Sequence, residues 1–496
     1  MNLRALTCFV SSMAFLAVFD PAELRAKAYR RLGRPAPNPA PKSLTKAGAL
    51  LSEGDLQGAQ KQSKSFTINP VRALGHLSVK FRTKFYEHFL DADFETSKPL
   101  EHSDNPRVTY VVGNSFPYTN SGYSNRSHLI LESAKRAGIY ATALTRLGYP
   151  MVIGQPSAQN ESLVDGIVYR RAIPWIFPFS AEKWIEAFAD AIVEEARRNG
   201  TTILHTTTGF HNALAVSRAA KILGVPWIYE VRGELEKTWL STPAPEGVER
   251  SAQSEHFLRW RAQESAAAKS SAAVVVLSEL SRQDLIGRGV EAERIHVIRN
   301  TADPALLDQQ KPSLDTTKSE FVIGTVTSVV PYEGLDVLIR SLEYLPEHVT
   351  ALIVGDGAQR EELENLAESL GFTHRVRFAG QQPRNEIVDW YRKLDVFVLP
   401  RLDLDVTRAV TPLKAANAML LGIPVVASDL PAVREITGNA AVYVAPGDPE
   451  QLAESVTHVV EGTYDHLDAA AWASQLTWDE TSIQLRRLYS GRIPSS

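Results

Sequence analysis

Twice along this chain, short runs of β-branched and aliphatic residues alternate with helical stretches. The first series contains Val108-Thr109-Tyr110-Val111-Val112, Tyr140-Ala141-Thr142-Ala143-Leu144, Ile203-Leu204-His205, Trp227-Ile228-Tyr229-Glu230-Val231, Ala273-Val274-Val275-Val276-Leu277 and Ile295-His296-Val297-Ile298. The second opens at Val322-Ile323-Gly324-Thr325-Val326 and continues through residues 351–355, 376–378, 396–399, 425–427 and 441–444. Alternation of this kind specifies parallel α/β sheets. The expectation is an α/β protein of two Rossmann-like, doubly wound domains facing each other across a cleft. Ligands of such sheets bind beyond the carboxyl ends of the strands. The boundaries read as an N-terminal helical extension over 1–105, a first domain over 106–305, a second over 306–480 and a C-terminal helix over 481–496, with the polar stretch 301–318 as connector.

Within the extension, residues 5–19 are apolar apart from a few hydroxyl and thiol side chains, with Arg4 before them. The run is shorter than the ~20 residues of a spanning helix, and no small-x-small cleavage site follows cleanly, which weighs against a cleaved leader. Arg25, Lys27, Arg30, Arg31 and Arg34 then offer a peripheral membrane contact on an anionic surface, or a solvated basic helix. Residues 33–41 form a stiff proline-rich linker. Two short helices are expected around Gly54-Asp55. The net charge of −4 favours no nucleic-acid partner. Cys8, the single cysteine, excludes a disulfide framework and a cysteine zinc site. The expected location is cytoplasmic, with the extension as the membrane-facing part.

One helix start carries a chemical signal. In Val410-Thr411-Pro412-Leu413-Lys414-Ala415-Ala416-Asn417, Thr411 can cap a helix and Pro412 fits its first position. Lys414 then lies in the first turn, where the helix dipole disfavours a cation. An anion docked on the free N–H groups accounts for it there; a solvated surface lysine is the other reading. Asn417 shares the face of Lys414. No P-loop, dinucleotide fingerprint, nucleophile elbow or zinc helix is present, so neither a metal nor a cofactor is expected.

The ordered set of segments resembles glycosyltransferase family 4, the group 1 glycosyltransferases, over about 107–489. The carriers are the loop Asn114–Arg126, Ser278-Glu279, residues 298–303, Tyr332-Glu333-Gly334-Leu335-Asp336, Val354-Gly355-Asp356-Gly357, residues 376–380, Asp395–Pro400, Ala418-Met419 to Ser428, and Arg434-Glu435. The resemblance implies the two-domain GT-B fold. It also implies transfer of a hexose from a nucleoside diphosphate sugar, retaining and metal-independent, to a glycan, lipid or small-molecule acceptor. Such chemistry needs a positive site for the departing diphosphate. Family members supply an Arg and a Lys after the first strand of the second domain; Ser328–Gly334 here contains neither. Arg401, Arg408 and Lys414, with Thr411, are the candidates to replace them, and N–H groups near Gly122 the candidates from the first domain. The family's two glutamates, eight positions apart, are Ala409 and Asn417 in this chain, with Asp403 and Asp405 in the preceding loop. Asn417 remains able to bond a ribose hydroxyl, without the strength a charged acceptor adds. Gly380 and Gln381 are expected beside the donor base. Glu230 and Arg232 end a strand toward the cleft, where Arg232 serves electrostatically or simply pairs with Glu230. The catalytic set is therefore Arg232, Glu230 and Lys414. A catalytically impaired protein that binds a nucleotide sugar or glycan, or a partner subunit in glycan assembly, is the alternative. Trp478 to Tyr489 resembles the family's terminal helix returning to the first domain.

Overall fold

The structure, a computed structural model, describes residues 3–20, 24, 46–64, 70–157, 159–241, 248–301, 306, 309, 314–383, 386–463 and 469–492. The basic segment 25–34, the proline-rich linker and much of the connector 301–318 lie outside the described residues. The chain divides into two compact units. Unit 1 comprises residues 1–276, 284–296 and 482–496; unit 2 comprises 277–283 and 297–481.

Unit 1 holds an eight-stranded sheet in the order β3-β4-β2-β1-β5-β6-β7-β8. Its strands are β1 (Arg107–Val112), β2 (Tyr140–Thr145), β3 (Glu161–Val164), β4 (Ile167–Arg171), β5 (Ile203–Thr207), β6 (Trp227–Val231), β7 (Ala273–Val276) and β8 (Ile295–Val297). The central strands β1 and β5 are buried on both faces, as continuous apolar runs in parallel sheets require. β3 pairs antiparallel with β4, and its residues alternate between exposed and half-buried. This edge hairpin has no place in the expected strand series, since Glu161-Ser162-Leu163-Val164 is too short and polar to signal a buried strand.

The N-terminal helices α1 (Leu3–Phe19), α2 (Lys46–Glu53), α3 (Leu56–Ser63) and α4 (Pro70–Asp91) belong to the same unit. The turn between α2 and α3 uses Gly54 at φ +87°, and the Asp55 carboxylate accepts from the Gly58 N–H at 2.8 Å. Ala5, Cys8, Ser12 and Phe15 form the buried stripe of α1 at helical spacing. Ala5 and Cys8 cluster with Met151 and Ile173 of the sheet body. Helices α5 (Gly122–Arg136), α6 (Ala181–Asn199) and α7 (Phe210–Leu223) follow β1, β4 and β5.

Unit 2 holds a six-stranded parallel sheet in the order β11-β10-β9-β12-β13-β14. The strands are β9 (Phe321–Val326), β10 (Val349–Val354), β11 (Val376–Gly380), β12 (Val396–Leu399), β13 (Val425–Ser428) and β14 (Val442–Val444). The two-residue period sorts their side chains into two cores. Leu352, Val354, Phe397, Leu399, Val425 and Ala427 face one way. Ala351, Ile353, Val396, Val398 and Val426 face the other. Among the described residues, no helix is long and apolar enough to cross a membrane.

Candidate functional site

In each sheet the strand order reverses direction once, and the crevice at that reversal is where α/β sheets bind ligands. In unit 2 the reversal lies between β9 and β12, which are hydrogen-bonded neighbours. Thr327 follows β9, and Pro400-Arg401 follows β12. The backbones there are pressed together. A Cβ on Gly355 would overlap the Thr327 carbonyl, one on Gly357 the Val329 carbonyl, and one on Gly334 the Pro400 carbonyl. Glycine is needed at these three places for the loops to meet.

Lys414 reaches into this convergence. Its Nζ bonds the Thr327 hydroxyl and lies 2.7 Å from the Glu333 carboxylate. Arg401 stands 3.6 Å from the same carboxylate and donates to the Val410 carbonyl at 2.9 Å. Glu333 and Arg401 are both buried. Two cations thus share one carboxylate, leaving one positive charge in excess. Burial holds the Lys414 ammonium below the ordinary lysine range, against the pull of Glu333. Lys414 is therefore an internal ion-pair partner and not a solvated surface lysine. Glu333 is not among the candidate residues of the sequence, although the family segment Tyr332–Asp336 contains it; Gly334 after it adopts φ +67°.

The helix starts one residue later than expected. Pro412, at ψ 106°, is still extended and occupies the cap position, and the helix runs Leu413–Leu420. Thr411 consequently does not cap it, and its buried Oγ1 has no hydrogen-bond partner. With Pro412 supplying no side-chain acceptor, the first-turn N–H groups stay open. Asn417 sits half-buried on the same helix with its buried Oδ1 unpartnered. Arg408 is exposed and grips Asp403, with the second contact at 2.6 Å, so its charge is answered on the surface. Gly380 takes φ +71° at the end of β11 and its carbonyl accepts from Gly355 at 2.9 Å. Gln381 beside it is exposed.

In unit 1 the reversal lies between β1 and β5. Beneath it is a buried charge cluster. Glu230 is fully buried, bonded by Arg126 at 2.6 Å and by Arg232 at 3.0 Å, and it accepts from the Tyr110 hydroxyl. Arg232 also donates to the Tyr123 carbonyl and the Ser127 hydroxyl, both at 2.8 Å. Burial alone would raise the Glu230 carboxyl, but Arg232 and Arg126 outweigh it and hold the group well below the usual carboxylate range. His205 is pushed down to about 4 by burial and bonds the Tyr489 hydroxyl through Nδ1 at 2.6 Å. Two arginines thus converge on Glu230, with His205 neutral beside them. Glu230 is wholly enclosed and has no direct access to a ligand; Arg232 is the member that reaches the surface of a cavity.

That cavity, about 580 Å³, opens over the carboxyl ends of β1, β2, β5 and β6. Its floor includes Asn114, Arg146, Thr208 and Arg232, and α1 and α4 contribute Phe15, Phe19, Phe85 and Phe89 to its wall. The Gly122 N–H lies close by in sequence, at the open start of α5, where Ser121 and Ser124 cap each other and a Cβ on Gly122 would meet nothing within 4 Å. Among the described residues, no group of three or more His, Cys, Asp or Glu is placed to hold a metal ion.

Comparison with known proteins agrees with this architecture. A family model described as glycosyl transferases group 1 matches residues 320–462, and a glycosyl transferase 4-like domain matches 121–301. A D-inositol 3-phosphate glycosyltransferase of Xylanimonas cellulosilytica is 28% identical over 243 residues, covering 45% of this chain and 57% of that protein. A 2-deoxystreptamine glucosyltransferase of Streptomyces kanamyceticus is 24% identical, covering 56% of this chain and 73% of that protein. The chain thus matches little more than half the length of the first of these relatives. Among solved structures, sucrose-phosphate synthase from Thermosynechococcus elongatus superposes with a TM-score of 0.60 at 17% identity, over 79% of this chain and 100% of the other. HepE of Anabaena, solved with UDP, gives 0.60 at 19% identity over 78% and 100%. Two parallel α/β units of the GT-B type, matched in turn by the two halves of one family's models, identify the chain as a member of the group 1 glycosyltransferases.

Proposed function

We propose that the chain transfers a hexose from a nucleoside diphosphate sugar to an acceptor hydroxyl, with retention and without a metal ion. The observation that supports this best is the Lys414–Glu333–Arg401 group at the strand-order reversal of unit 2, with its excess positive charge beside an uncapped helix start. In the reaction the bond between the anomeric carbon and the diphosphate oxygen breaks, a bond to the acceptor oxygen forms, and the acceptor proton passes to the departing diphosphate. That departing group accumulates negative charge, which Lys414, Arg401 and the open N–H groups at 413–415 would stabilise. Thr411 and Asn417, with unpartnered buried oxygens, would bond donor hydroxyls or a protonated phosphate oxygen. Gly380 and Gln381 would lie toward the base, and Arg408 would contribute only after releasing Asp403. The cavity in unit 1, with Arg232 at its edge and Glu230 holding Arg232 from beneath, would take the acceptor. HepE, of the same fold, was solved with UDP, so uridine is the base to try first.

A second reading has an observation in its favour. Ala409 and Asn417 stand where the family resemblance implies two glutamates, so the protein would bind a nucleotide sugar, or support a partner enzyme in glycan assembly, without turning it over. Incubation with UDP-, GDP- and ADP-sugars, with and without acceptors, separates the two through release of nucleoside diphosphate. Tight binding of one donor with no release in any mixture would exclude the transferase.

A further inference from the structure

The cavity of unit 1 combines two chemistries that a simple sugar acceptor does not require. The first is a concentration of rings. Phe15 lies 4.9 Å from Phe19, 5.3 Å from Phe85 and 5.1 Å from Phe177, and Phe85 lies 5.2 Å from Phe89. The N-terminal helices supply most of this wall. The second is uncompensated positive charge. Arg146, following β2, has a buried Nε without a hydrogen-bond partner, and burial depresses its guanidinium with only Tyr149 acting against that. Arg232 lines the same cavity and likewise has a buried Nε without a hydrogen-bond partner. Among the described residues that line it, none is acidic, and His211 is driven down to about 3 by burial, hence neutral.

A desolvated cation lacking a counter-charge is costly unless a ligand completes it. The apolar wall also continues outward. On α1, Leu3, Leu6 and Val10 form a second stripe at helical spacing that is exposed, as are Trp175 and Ile176. Arg4 stacks over Trp175 at 5.9 Å, and the Phe177 N–H donates to Ser11 at 2.8 Å, which ties this loop to α1. A helix apolar on both faces, with one face uncovered, suits contact with hydrocarbon.

We propose that this cavity binds an acidic amphiphile, whose phosphate or carboxylate head group pairs with Arg146 and Arg232 while its hydrocarbon tail lies against the phenylalanines of α1 and α4 and leaves over the exposed stripe of α1. This rests on the transferase reading only in making that amphiphile the acceptor; the binding site stands without it. A volume of about 580 Å³ is of the size that holds a head group and part of a chain.

Calorimetric titration, with no nucleotide sugar present and below micelle-forming concentrations, tests the site directly. Farnesyl phosphate and dodecanoate represent the two acids, with farnesol and inorganic phosphate as controls. At least one acidic amphiphile is expected to bind tenfold or more tightly than farnesol and than phosphate, and the tighter of the two assigns the head group. Arg146→Gln is expected to bring it down to the farnesol level, Arg146→Lys to recover most of the difference, and Phe15→Ala to weaken farnesol and acid together. Equal binding of farnesol and both acids, or no binding of either acid by a protein that still binds nucleoside diphosphate, would overturn the proposal. Retained amphiphile binding without sugar transfer from any donor would instead count against the transferase reading alone.

Discussion

Glu230 shows how much can depend on one buried carboxylate. Replacing it by Gln leaves Arg126 and Arg232 in the interior of unit 1 without an anion between them. Removing one partner of a buried ion pair costs about 3–5 kcal/mol, so Glu230→Gln is expected to lower the urea midpoint of this unit by that measure of stability. Glu264 behaves in the opposite sense. It is buried, accepts from the Tyr229 hydroxyl and from the Phe210 N–H at 3.0 Å, and burial pushes it from the ordinary 4.5 up to about 7. Between these values the folded chain keeps a proton that the unfolded chain has lost. The contribution of this one carboxyl to stability therefore falls as pH rises through the window from 4.5 to about 7, opposite in sign to that of His205, which burial holds down to about 4. A tenfold change in proton affinity is worth about 1.4 kcal/mol, so the stability of Glu264→Gln relative to the parent should rise by roughly 3 kcal/mol between pH 4 and pH 8. A stability difference between parent and Glu264→Gln that stays the same from pH 4 to pH 8 would refute the assignment. Of these residues the sequence exposes Glu230 and Arg232, because they end an obvious strand. It conceals Tyr110, Arg126 and His205, because their meeting depends on three strands and a helix brought together from distant positions, and it conceals the role of Glu333, because its segment does not say which cations it meets.

Strands and helices were far more legible. Period-two and continuous apolar runs locate β1, β2, β5 to β7 and all six strands of unit 2 to within a residue or two, because burial on both faces leaves a strong signature. The hairpin of β3 and β4 leaves a weak one, and Pro412 shifts a helix start because its extended ψ delays the first turn. The loops are less forgiving than their polarity suggests. Gly355 takes φ +137° with the Thr327 carbonyl packed where a side chain would begin. Gly355→Ala is expected to push the β9 and β10 loops apart. This should destabilise unit 2 by about 1–3 kcal/mol and weaken nucleoside diphosphate binding at least tenfold, because Thr327 is a partner of Lys414. Equilibrium dialysis against UDP measures the second effect. Unchanged affinity would show that the Thr327 loop plays no part in the anion site.

At the scale of the molecule, the two units carry separate cores and respond to different agents. The titrating carboxyl Glu264 is in unit 1 and the anion group around Lys414 is in unit 2. Calorimetry at a series of pH values, with and without UDP, should therefore resolve two transitions. UDP at a hundred times its dissociation constant should stabilise only the unit 2 transition, by about 2.7 kcal/mol, and Lys414→Ala should abolish that gain. A UDP-dependent shift of both transitions equally, or one surviving in Lys414→Ala, would place the nucleotide elsewhere. The two-unit organisation was readable from the restart of the strand series at Val322; the composition of each unit was not, because it depends on contacts between segments far apart in sequence.

Tyr489 belongs to that last class. Its buried hydroxyl bonds His205 in the heart of unit 1, and His102 and Asp104 hold Ser490 and Arg492 at 2.9 Å each. Unit 2 is thus an insertion within the sequence of unit 1. During synthesis the ribosome delivers all of unit 2 before it delivers the segment that closes the core of unit 1. Unit 2 can complete itself as soon as it emerges, whereas unit 1, whose strands emerge first, must wait for Tyr489 and finishes last. A released chain truncated after residue 481 should resist proteolysis in unit 2 while unit 1 is still cleaved.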